Sequence, residues 1–419
     1  MVGLLALSCR DPECTAAAAT DTTRGGAEGL SVMFLADHLG YATDQFHGGT
    51  TYYLSVLPAL ARAGVAITFC IMGTRHAATH LLEDAGIRPI FLGHNRWDPR
   101  SLASVRRLIA QHRVRVLHLA CLKAHFVGRL AAALAGCSTV VHLHDTFKLS
   151  RPMSLLQRSV AKLTDACVVV SEPVRRIALE DYGLPAERVE VLVNAIDVDR
   201  FRVDPARASL LMEFQLPPSS RLIGIIGRLA SMKGQAYAIR AMPEILRRCP
   251  AAVLMLCGDG AQRGDYERLV ATLGIGHAVR FMGQRSDVPE VLAALDLVAL
   301  PSMFGEGLPF SALEALAAGR PLVAFPVGGI PAAVCHGRTG LLVAKGDICG
   351  LATAICDLLE DPELLTRMGL AASAHAKAHF GLDAHIRRLI EIYLTSMKGK
   401  RSERGSSRLT TWPLAKDQR

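Results

Sequence analysis

Short, valine-rich apolar runs alternate with helix-like stretches along most of this 419-residue chain. Residues 30–37 read as a strand, residues 50–64 as a helix closed by a glycine, and residues 65–73 as a strand again. Apolar runs of this kind are typical of parallel strands that helices cover on both faces. The pattern therefore predicts an α/β fold that is built from βαβ units.

A second series of the same kind begins after the proline-containing stretch at residues 202–220. We predict two doubly wound, Rossmann-like domains, at residues 30–203 and at residues 204–397, the second including the terminal helix. Residues 1–29 and the basic tail at 398–419 lack hydrophobic periodicity and are predicted to be disordered. Two such domains that face each other leave a cleft at the carboxyl ends of their strands, where ligands bind in this architecture.

The composition excludes several classes of protein. No apolar run reaches the roughly 18 residues that span a bilayer, and the amino terminus lacks the basic residue of a secretory signal. We therefore expect a cytoplasmic protein.

Its 11 cysteines lie singly, with no C-x-x-C pair, which predicts reduced core thiols rather than metal or disulfide sites.

The net charge of +9 favours anionic partners. Nucleic acid is not expected, because the basic runs lack the interleaved aromatic residues of a single-strand platform. The basic segment at residues 147–163 predicts an amphipathic helix, with Leu155, Val160 and Leu163 near four cations, that suits an anionic membrane surface. An ordinary helix packed on the sheet of the first domain is the alternative.

Two glutamates mark a loop and the helix that follows it, in the stretch "EGLPFSALE". Pro309 suits the first helical position and Gly319 a left-handed cap, so Glu306 is predicted in the loop and Glu314 a little over one turn into the helix. Carboxylates accept hydrogen bonds from hydroxyls, so one can hold a sugar and the other a ribose. An N-terminal favourable charge and a solvated helix position are the alternative interpretations.

The same helix start predicts an anion site. Its first N–H groups are free of intrahelical partners and carry about half a positive charge. We therefore expect the backbone at Gly307, Leu308 and Phe310 to hold a diphosphate.

The motifs of the chain resemble those of one enzyme family over most of its length. "EGLPFSALE" matches the E-x7-E motif of retaining GT-B glycosyltransferases, and the chain is similar to members of glycosyltransferase family 4, the group 1 transferases. The resemblance implies the GT-B fold, with a nucleotide-sugar donor on the C-terminal domain and the acceptor on the N-terminal one. Further segments that match in the family's order include "HGGTTYYLSVLPALARAG", "VVHLHD", "IGRLASMKG", "LCGDG" and "AAGRPLVAFPVGGIP".

The resemblance also implies roles for individual residues. Arg228 and Lys233 would hold the two phosphates and stabilise the charge that develops on the departing diphosphate, in place of a metal. Glu306 would contact the transferred sugar and Glu314 the ribose. His144 would lie near the sugar, with His142, two positions earlier on the same strand face, as the alternative assignment.

Glycines and departures from the family pattern complete the prediction. Gly48 and Gly49 would let the backbone of the N-terminal domain approach the diphosphate, because no Cβ is present. Ala195 replaces a common glycine, and Ala332 stands where the family often carries glutamate.

The resemblance implies a metal-independent retaining glycosyltransferase with no cofactor beyond its donor substrate, a UDP- or GDP-sugar. The acceptor would be a glycan or a lipid-linked sugar, and cell-envelope polysaccharide assembly is the expected setting. One alternative is a sugar-nucleotide epimerase of the same fold, which would convert a donor without an acceptor. The other is a nucleotide-sugar-binding protein that has lost turnover, which Ala332 suggests.

Overall fold

A computed structural model describes residues 29–40, 48–94, 97–204 and 207–406, with the backbone alone at 399–406. Two parallel sheets, of seven and six strands, each form the centre of one α/β lobe. This arrangement confirms the predicted α/β class with two doubly wound sheets.

The N-terminal sheet has the strand order β3-β2-β1-β4-β5-β6-β7. The order reverses between β1 and β4, so this pair is the topological switch point at which ligands bind in such sheets. Its strands are Ser31–Ala36 (β1), Ala66–Ile71 (β2), Ile90–Phe91 (β3), Val116–Ala120 (β4), Ser138–Leu143 (β5), Ala166–Val169 (β6) and Val189–Val191 (β7).

The C-terminal sheet has the order β10-β9-β8-β11-β12-β13, which reverses between β8 and β11. Its core is almost wholly aliphatic, and the strands β8, β9 and β11 are buried nearly throughout. Its strands are Arg221–Ile226 (β8), Ala252–Cys257 (β9), Val279–Gly283 (β10), Leu297–Leu300 (β11), Leu322–Ala324 (β12) and Gly340–Leu342 (β13).

Helices connect the parallel strands of both lobes and cover the two faces of each sheet. The N-terminal lobe contains Gly48–Arg62 (α1), Thr79–Asp84 (α2), Arg100–Gln111 (α3), Leu122–Ala135 (α4), Arg151–Ser159 (α5) and Glu172–Glu180 (α6). The remaining helices are Arg207–Glu213 (α7), Gln235–Arg248 (α8), Arg263–Thr272 (α9), Val288–Ala294 (α10), Phe310–Ala317 (α11), Ile330–Ala333 (α12), Ile348–Glu360 (α13), Pro362–His379 (α14) and Leu382–Ser406 (α15).

The chain passes between the lobes twice, and the two passages are hydrogen-bonded to each other. Ile196 pairs with Gly381 in a parallel bridge. The Ile196 N–H donates to the Phe380 carbonyl at 2.9 Å, and the Leu382 N–H donates to the Ile196 carbonyl at 3.1 Å. The connections between the lobes therefore lie side by side.

After the second passage, α15 packs on the N-terminal sheet. Tyr393 is fully buried and its hydroxyl lies 2.8 Å from Nδ1 of His118 on β4, and the Ser138 hydroxyl donates to the Ser396 carbonyl at 3.2 Å. The sequence prediction assigned this helix to the C-terminal domain and ended it at residue 397, whereas it continues to Ser406. The segments 1–28 and 407–419, predicted to be disordered, lie outside the described residues.

The predicted amphipathic helix at residues 147–163 is shorter than expected. Helix α5 ends at Ser159, and the Val160 side chain is buried, with only 5% of its surface exposed. The prediction that Val160 lies on an exposed amphipathic surface is therefore wrong. Leu155 is 68% exposed, and the neighbouring Lys148 and Arg151 are exposed as well. Among the described residues, no helix combines the length and the apolar character needed to cross a bilayer.

Candidate functional site

A buried ion pair lies where the loops after β8 and β11 meet, at the switch point of the C-terminal sheet. The Lys233 ammonium donates to Oε1 of Glu306 at 2.7 Å. The Ser302 hydroxyl donates to the same oxygen at 2.7 Å. Glu306 is only 4% exposed, so its carboxylate is held in one place and largely shielded from water.

The two loops approach closely because a glycine stands at their contact. Gly234 has φ +68°, and a Cβ at this position would collide with the Pro301 carbonyl. Gly234 also caps the short 3₁₀ turn Ser231–Lys233 and precedes α8. The close contact fixes Lys233 against the Glu306 loop.

A second glycine pair supports the Glu306 loop from the side of β12. A side chain at Gly328, which has φ +57°, would collide with the Glu306 carbonyl, and one at Gly329 would collide with the Gly307 carbonyl. Ala332, where the family often has glutamate, is exposed on the following short helix. The two glycines therefore allow a close backbone contact with this loop.

Loops of the N-terminal lobe close on the same segment. The Ser171 hydroxyl donates to the Gly307 carbonyl at 2.8 Å, and the Asn194 side-chain amide donates to the Leu308 carbonyl at 2.8 Å. A Cβ on Gly307 would collide with the His144 carbonyl. The structure thus brings His144, Glu306 and Gly307, which the sequence predicted as site residues, to one point where the two lobes meet.

The first turns of α1 and α11 also meet there. A Cβ on Gly48, the first residue of α1, would stand 3.4 Å from the Phe310 ring, at the first residue of α11. Gly49 follows in the same turn of α1. Helix starts carry partial positive charge, so the facing ends of α1 and α11 suit an anion between them.

The backbone at the start of α11 has N–H groups without an acceptor where the sequence predicts an anion site. Helix α11 begins at Phe310, with Pro309 as its cap rather than as its first residue. The N–H groups of Gly307, Leu308 and Phe310 donate to no other residue in the described part of the chain. The side chains of Leu308 and Phe310 are buried, which anchors this stretch of backbone in place.

Arg228 lies at the carboxyl end of β8, one short turn before Lys233. Its guanidinium contacts the Met232 sulfur at 3.5 Å, and its carbonyl accepts a hydrogen bond from the Gln235 side chain at 2.8 Å. Gly227, with φ +143°, and Gly258 let the loops after β8 and β9 pass in contact. Both predicted phosphate-binding cations therefore lie at one edge of the C-terminal sheet.

Glu314 is on α11, as predicted. Burial raises the pKa of its carboxyl to about 7, and the charge of Arg200 lowers it slightly. The Cys257 thiol lies at the carboxyl end of β9. Burial raises its pKa, and the charge of Glu314 raises it further. A carboxyl that titrates near neutral pH can accept a hydrogen bond from a ribose hydroxyl when it is ionised, or donate one to it when it is protonated.

A buried histidine and tyrosine cluster lies behind His144. The rings of His142 and His144 are 3.9 Å apart, and Tyr52 contacts both at 5.0 Å. His142 is 1% exposed, and its Nδ1 lies 3.1 Å from Nε2 of His118, which in turn binds Tyr393. Burial lowers the pKa of both His118 and His142, so this network stays neutral. His144 is the more accessible of the two candidates beside the cleft.

Sequence reasoning missed the side chains that hold the site together. Ser302 has a local signal, because it lies four residues before Glu306 in the same loop. Ser171 and Asn194 have none, since their partners are more than 100 positions away. Asp197 and Asp199, whose D-x-D spacing occurs in metal sites of other transferases, are both exposed, and Asp199 pairs with Arg202 at 3.3 Å.

Two sequence profiles match the chain, one on each lobe. The profile described as "Glycosyltransferase Family 4" matches residues 46–200, and the one described as "Glycosyl transferases group 1" matches residues 220–361. The two profiles leave residues 201–219 unmatched, and the predicted boundary between the domains lies in this gap.

The chain is also similar to curated bacterial proteins and to solved structures. It is 34% identical to the D-inositol 3-phosphate glycosyltransferase of Nocardia farcinica over 61% of this chain and 58% of that protein, so the match spans little more than half of that relative. It is 32% identical to a GDP-mannose-dependent α-(1-6)-phosphatidylinositol monomannoside mannosyltransferase of Mycobacterium tuberculosis H37Rv, over 67% of this chain and 75% of that one. Anabaena Alr3699/HepE in complex with UDP-glucose has the same fold, with a TM-score of 0.76, 24% identity and coverage of 88% and 100%.

Proposed function

The chain belongs to glycosyltransferase family 4, and from this membership and the geometry of the cleft we propose a retaining, metal-independent transferase that uses a UDP- or GDP-sugar. The single observation that carries the proposal is the buried Lys233–Glu306 pair at the start of α11. It combines a cation for the phosphates with a carboxylate for the sugar at the place where the N-terminal lobe closes.

Charge development on the leaving group explains the positive groups. As the bond between the sugar C1 and the phosphate oxygen breaks, its electron pair moves to the β-phosphate. Lys233, Arg228 and the N–H groups of Gly307, Leu308 and Phe310 would stabilise this charge, and fixed donors in a dry cleft are worth about 10²–10³-fold in rate each. A bound metal ion is then not required for the leaving group.

Lys233 and Glu306 can act without breaking their contact. An ammonium has three N–H donors, so Lys233 can bind a phosphate oxygen while it remains on Oε1 of Glu306. Oε1 of Glu306 accepts both hydrogen bonds that the described residues make to this carboxylate, and Oε2 accepts none. Oε2 would therefore accept a hydrogen bond from a sugar hydroxyl.

Retention of configuration follows if the acceptor attacks from the face that the diphosphate leaves. The acceptor oxygen bonds to C1 of an oxocarbenium-like sugar, and its proton passes to the departing phosphate. No protein nucleophile takes part. The partly exposed His144 would hydrogen-bond the sugar, and the neutral cluster behind it would hold its ring in place.

We propose the donor and the acceptor by chemical class. HepE binds UDP-glucose and the mycobacterial relative is named for GDP-mannose, so both nucleotides are candidates here, with Glu314 on the ribose. The acceptor would be a glycan or lipid-linked sugar on the N-terminal lobe. The exposed cations near Leu155 would attach that lobe to the anionic face of a membrane, in envelope polysaccharide assembly.

A donor-hydrolysis assay tests the function. We expect slow release of UDP or GDP from one nucleotide sugar in a panel, unchanged by a chelator, and a released sugar whose first anomer keeps the donor configuration in NMR spectra. Glu306→Gln and Lys233→Met should each lower this rate at least about 100-fold while circular dichroism stays unchanged.

Three outcomes would contradict the proposal. Conversion of the donor to an isomeric nucleotide sugar without nucleotide release would identify an epimerase. Tight nucleotide-sugar binding without turnover under any acceptor would identify a binding protein. Loss of activity in the chelator, restored by a divalent cation, would refute the role given to the fixed cations.

A further inference from the structure

Two cysteines and a glutamate converge on the C-terminal lobe, away from the cleft. Cys249 follows the last residue of α8, and Cys356 and Glu360 lie one turn apart on α13. Their sulfur and oxygen ligand atoms all lie within 4.8 Å of one another, and the Cys249 sulfur is 3.7 Å from Oε1 of Glu360. The glycosyl-transfer site does not use any of these groups.

These atoms have the chemistry of zinc ligands, and the 3.7 Å between the Cys249 sulfur and Oε1 of Glu360 also fits the spacing of two ligands on one ion. With Zn–S bonds of about 2.3 Å and Zn–O bonds of about 2.0–2.2 Å, tetrahedral ligand atoms stand about 3.5–3.8 Å apart. Two thiolates favour zinc or cadmium over magnesium or calcium, which take oxygen ligands. We propose that Cys249, Cys356 and Glu360 form a Zn²⁺-binding site, with solvent water as the fourth ligand.

The surrounding charges fit a bound cation of this kind. Two thiolates and one carboxylate bring three negative charges, and Zn²⁺ leaves one uncompensated. Arg248 lies beside the group: its guanidinium donates to both carboxylate oxygens of Glu360, at 3.1 and 2.6 Å, and to Asp357 at 2.9 Å. On metal binding, Oε1 of Glu360 would exchange its Arg248 hydrogen bond for the ion, and Arg248 would remain on Asp357 and offset the remaining negative charge.

Proton balance makes the binding dependent on pH. A metal-bound cysteine is a thiolate, so binding of one Zn²⁺ by two thiols releases two protons to solvent as the two sulfur–metal bonds form. Affinity should rise with pH.

The site would join two helices of the donor lobe. Helix α8 has 14 residues, hence a length of about 21 Å, with Lys233 just before its start and Cys249 at its end. An ion bound by Cys249 and by the two ligands on α13 would link the C-terminal end of α8 to α13. The Lys233 loop lies at the other end of α8. The ion would stabilise the lobe without contact with the donor.

Cadmium titration of the full chain tests this proposal. After reduction and chelator treatment, we expect one equivalent of Cd²⁺ to produce a thiolate-to-metal absorption band, and Zn²⁺ to displace it. Cys249→Ser and Cys356→Ser should abolish the band, and Glu360→Gln should weaken affinity at least about tenfold. Cys349→Ser, which changes an exposed thiol on the same helix, should leave it unchanged.

The measurement on the wild-type protein decides the question even if a variant fails to fold. Absence of the band from the reduced protein would overturn the proposal, as would a band that both serine variants of the site retain. A Cys249–Cys356 disulfide that closes in air equally fast with and without one equivalent of Zn²⁺ would also overturn it. Donor hydrolysis is not the readout, so the result stands apart from the proposed transferase activity.

Discussion

Replacement of Lys233 by methionine should damage stability and catalysis together. The ammonium lies 2.7 Å from the Glu306 carboxylate, and the two side chains are 19% and 5% exposed. Coulomb attraction across this distance is about 6 kcal/mol at an effective dielectric constant of about 20. Desolvation offsets part of it, and removal of one partner of a buried pair costs about 3–5 kcal/mol because the other charge stays buried.

A double-mutant cycle separates the pair from its surroundings. We expect Lys233→Met to lower the free energy of unfolding by about 3 kcal/mol. Glu306→Gln should cost about 1 kcal/mol, since the amide keeps the Ser302 hydrogen bond. The double variant should be about 2 kcal/mol more stable than the sum of the single effects, because no unpaired carboxylate remains.

Urea unfolding and initial rates of donor hydrolysis provide the two readouts. Lys345→Met, at an exposed lysine of the same lobe, is the matched control and should change stability by less than about 0.5 kcal/mol. Additive stabilities within about 0.5 kcal/mol would refute the energetic role of the pair. A Lys233→Met rate within tenfold of wild type would refute its role on the phosphates.

Three further perturbations test other parts of the structure. Burial raises the pKa of Glu314 to about 7 from 4.5, so wild-type stability should fall by about 3 kcal/mol as the pH rises from about 4.5 to about 7, and Glu314→Gln should remove this fall in urea titrations; an unchanged slope contradicts it. Gly307→Ala should lower kcat/KM at least tenfold, because the new methyl group forces the lobes apart, whereas Gly276→Ala, in open space, should not. Lys148→Glu with Arg151→Glu should reduce cosedimentation with anionic vesicles at low salt at least about tenfold; equal binding would remove the membrane proposal.

The alternation of strands and helices could be predicted because it depends on local periodicity. Parallel strands buried on both faces leave apolar runs, and glycines such as Gly319, with φ +67°, mark helix ends. The two-residue strand β3 was missed, since it is too short for a pattern. Helix α5 ends earlier than predicted because Val160 leaves the helix for the core, which periodicity alone does not show.

The site was predictable only in its local part. Glu306 and Glu314 follow from a loop-and-helix pattern, and the motif resemblance added Arg228 and Lys233. The contact of Gly307 with the His144 carbonyl depends on how the lobes meet, so no stretch of sequence encodes it locally. The packing of α15 on the first sheet belongs to the same class of long-range contact.

The paired passages at Ile196 and Gly381 bear on how this molecule can open. Because the two connections lie side by side, we expect the lobes to rotate about them as a hinge instead of sliding past each other. Because α15 travels with the first lobe, a fluorophore on that helix and a second one on α13 would report the opening angle during turnover.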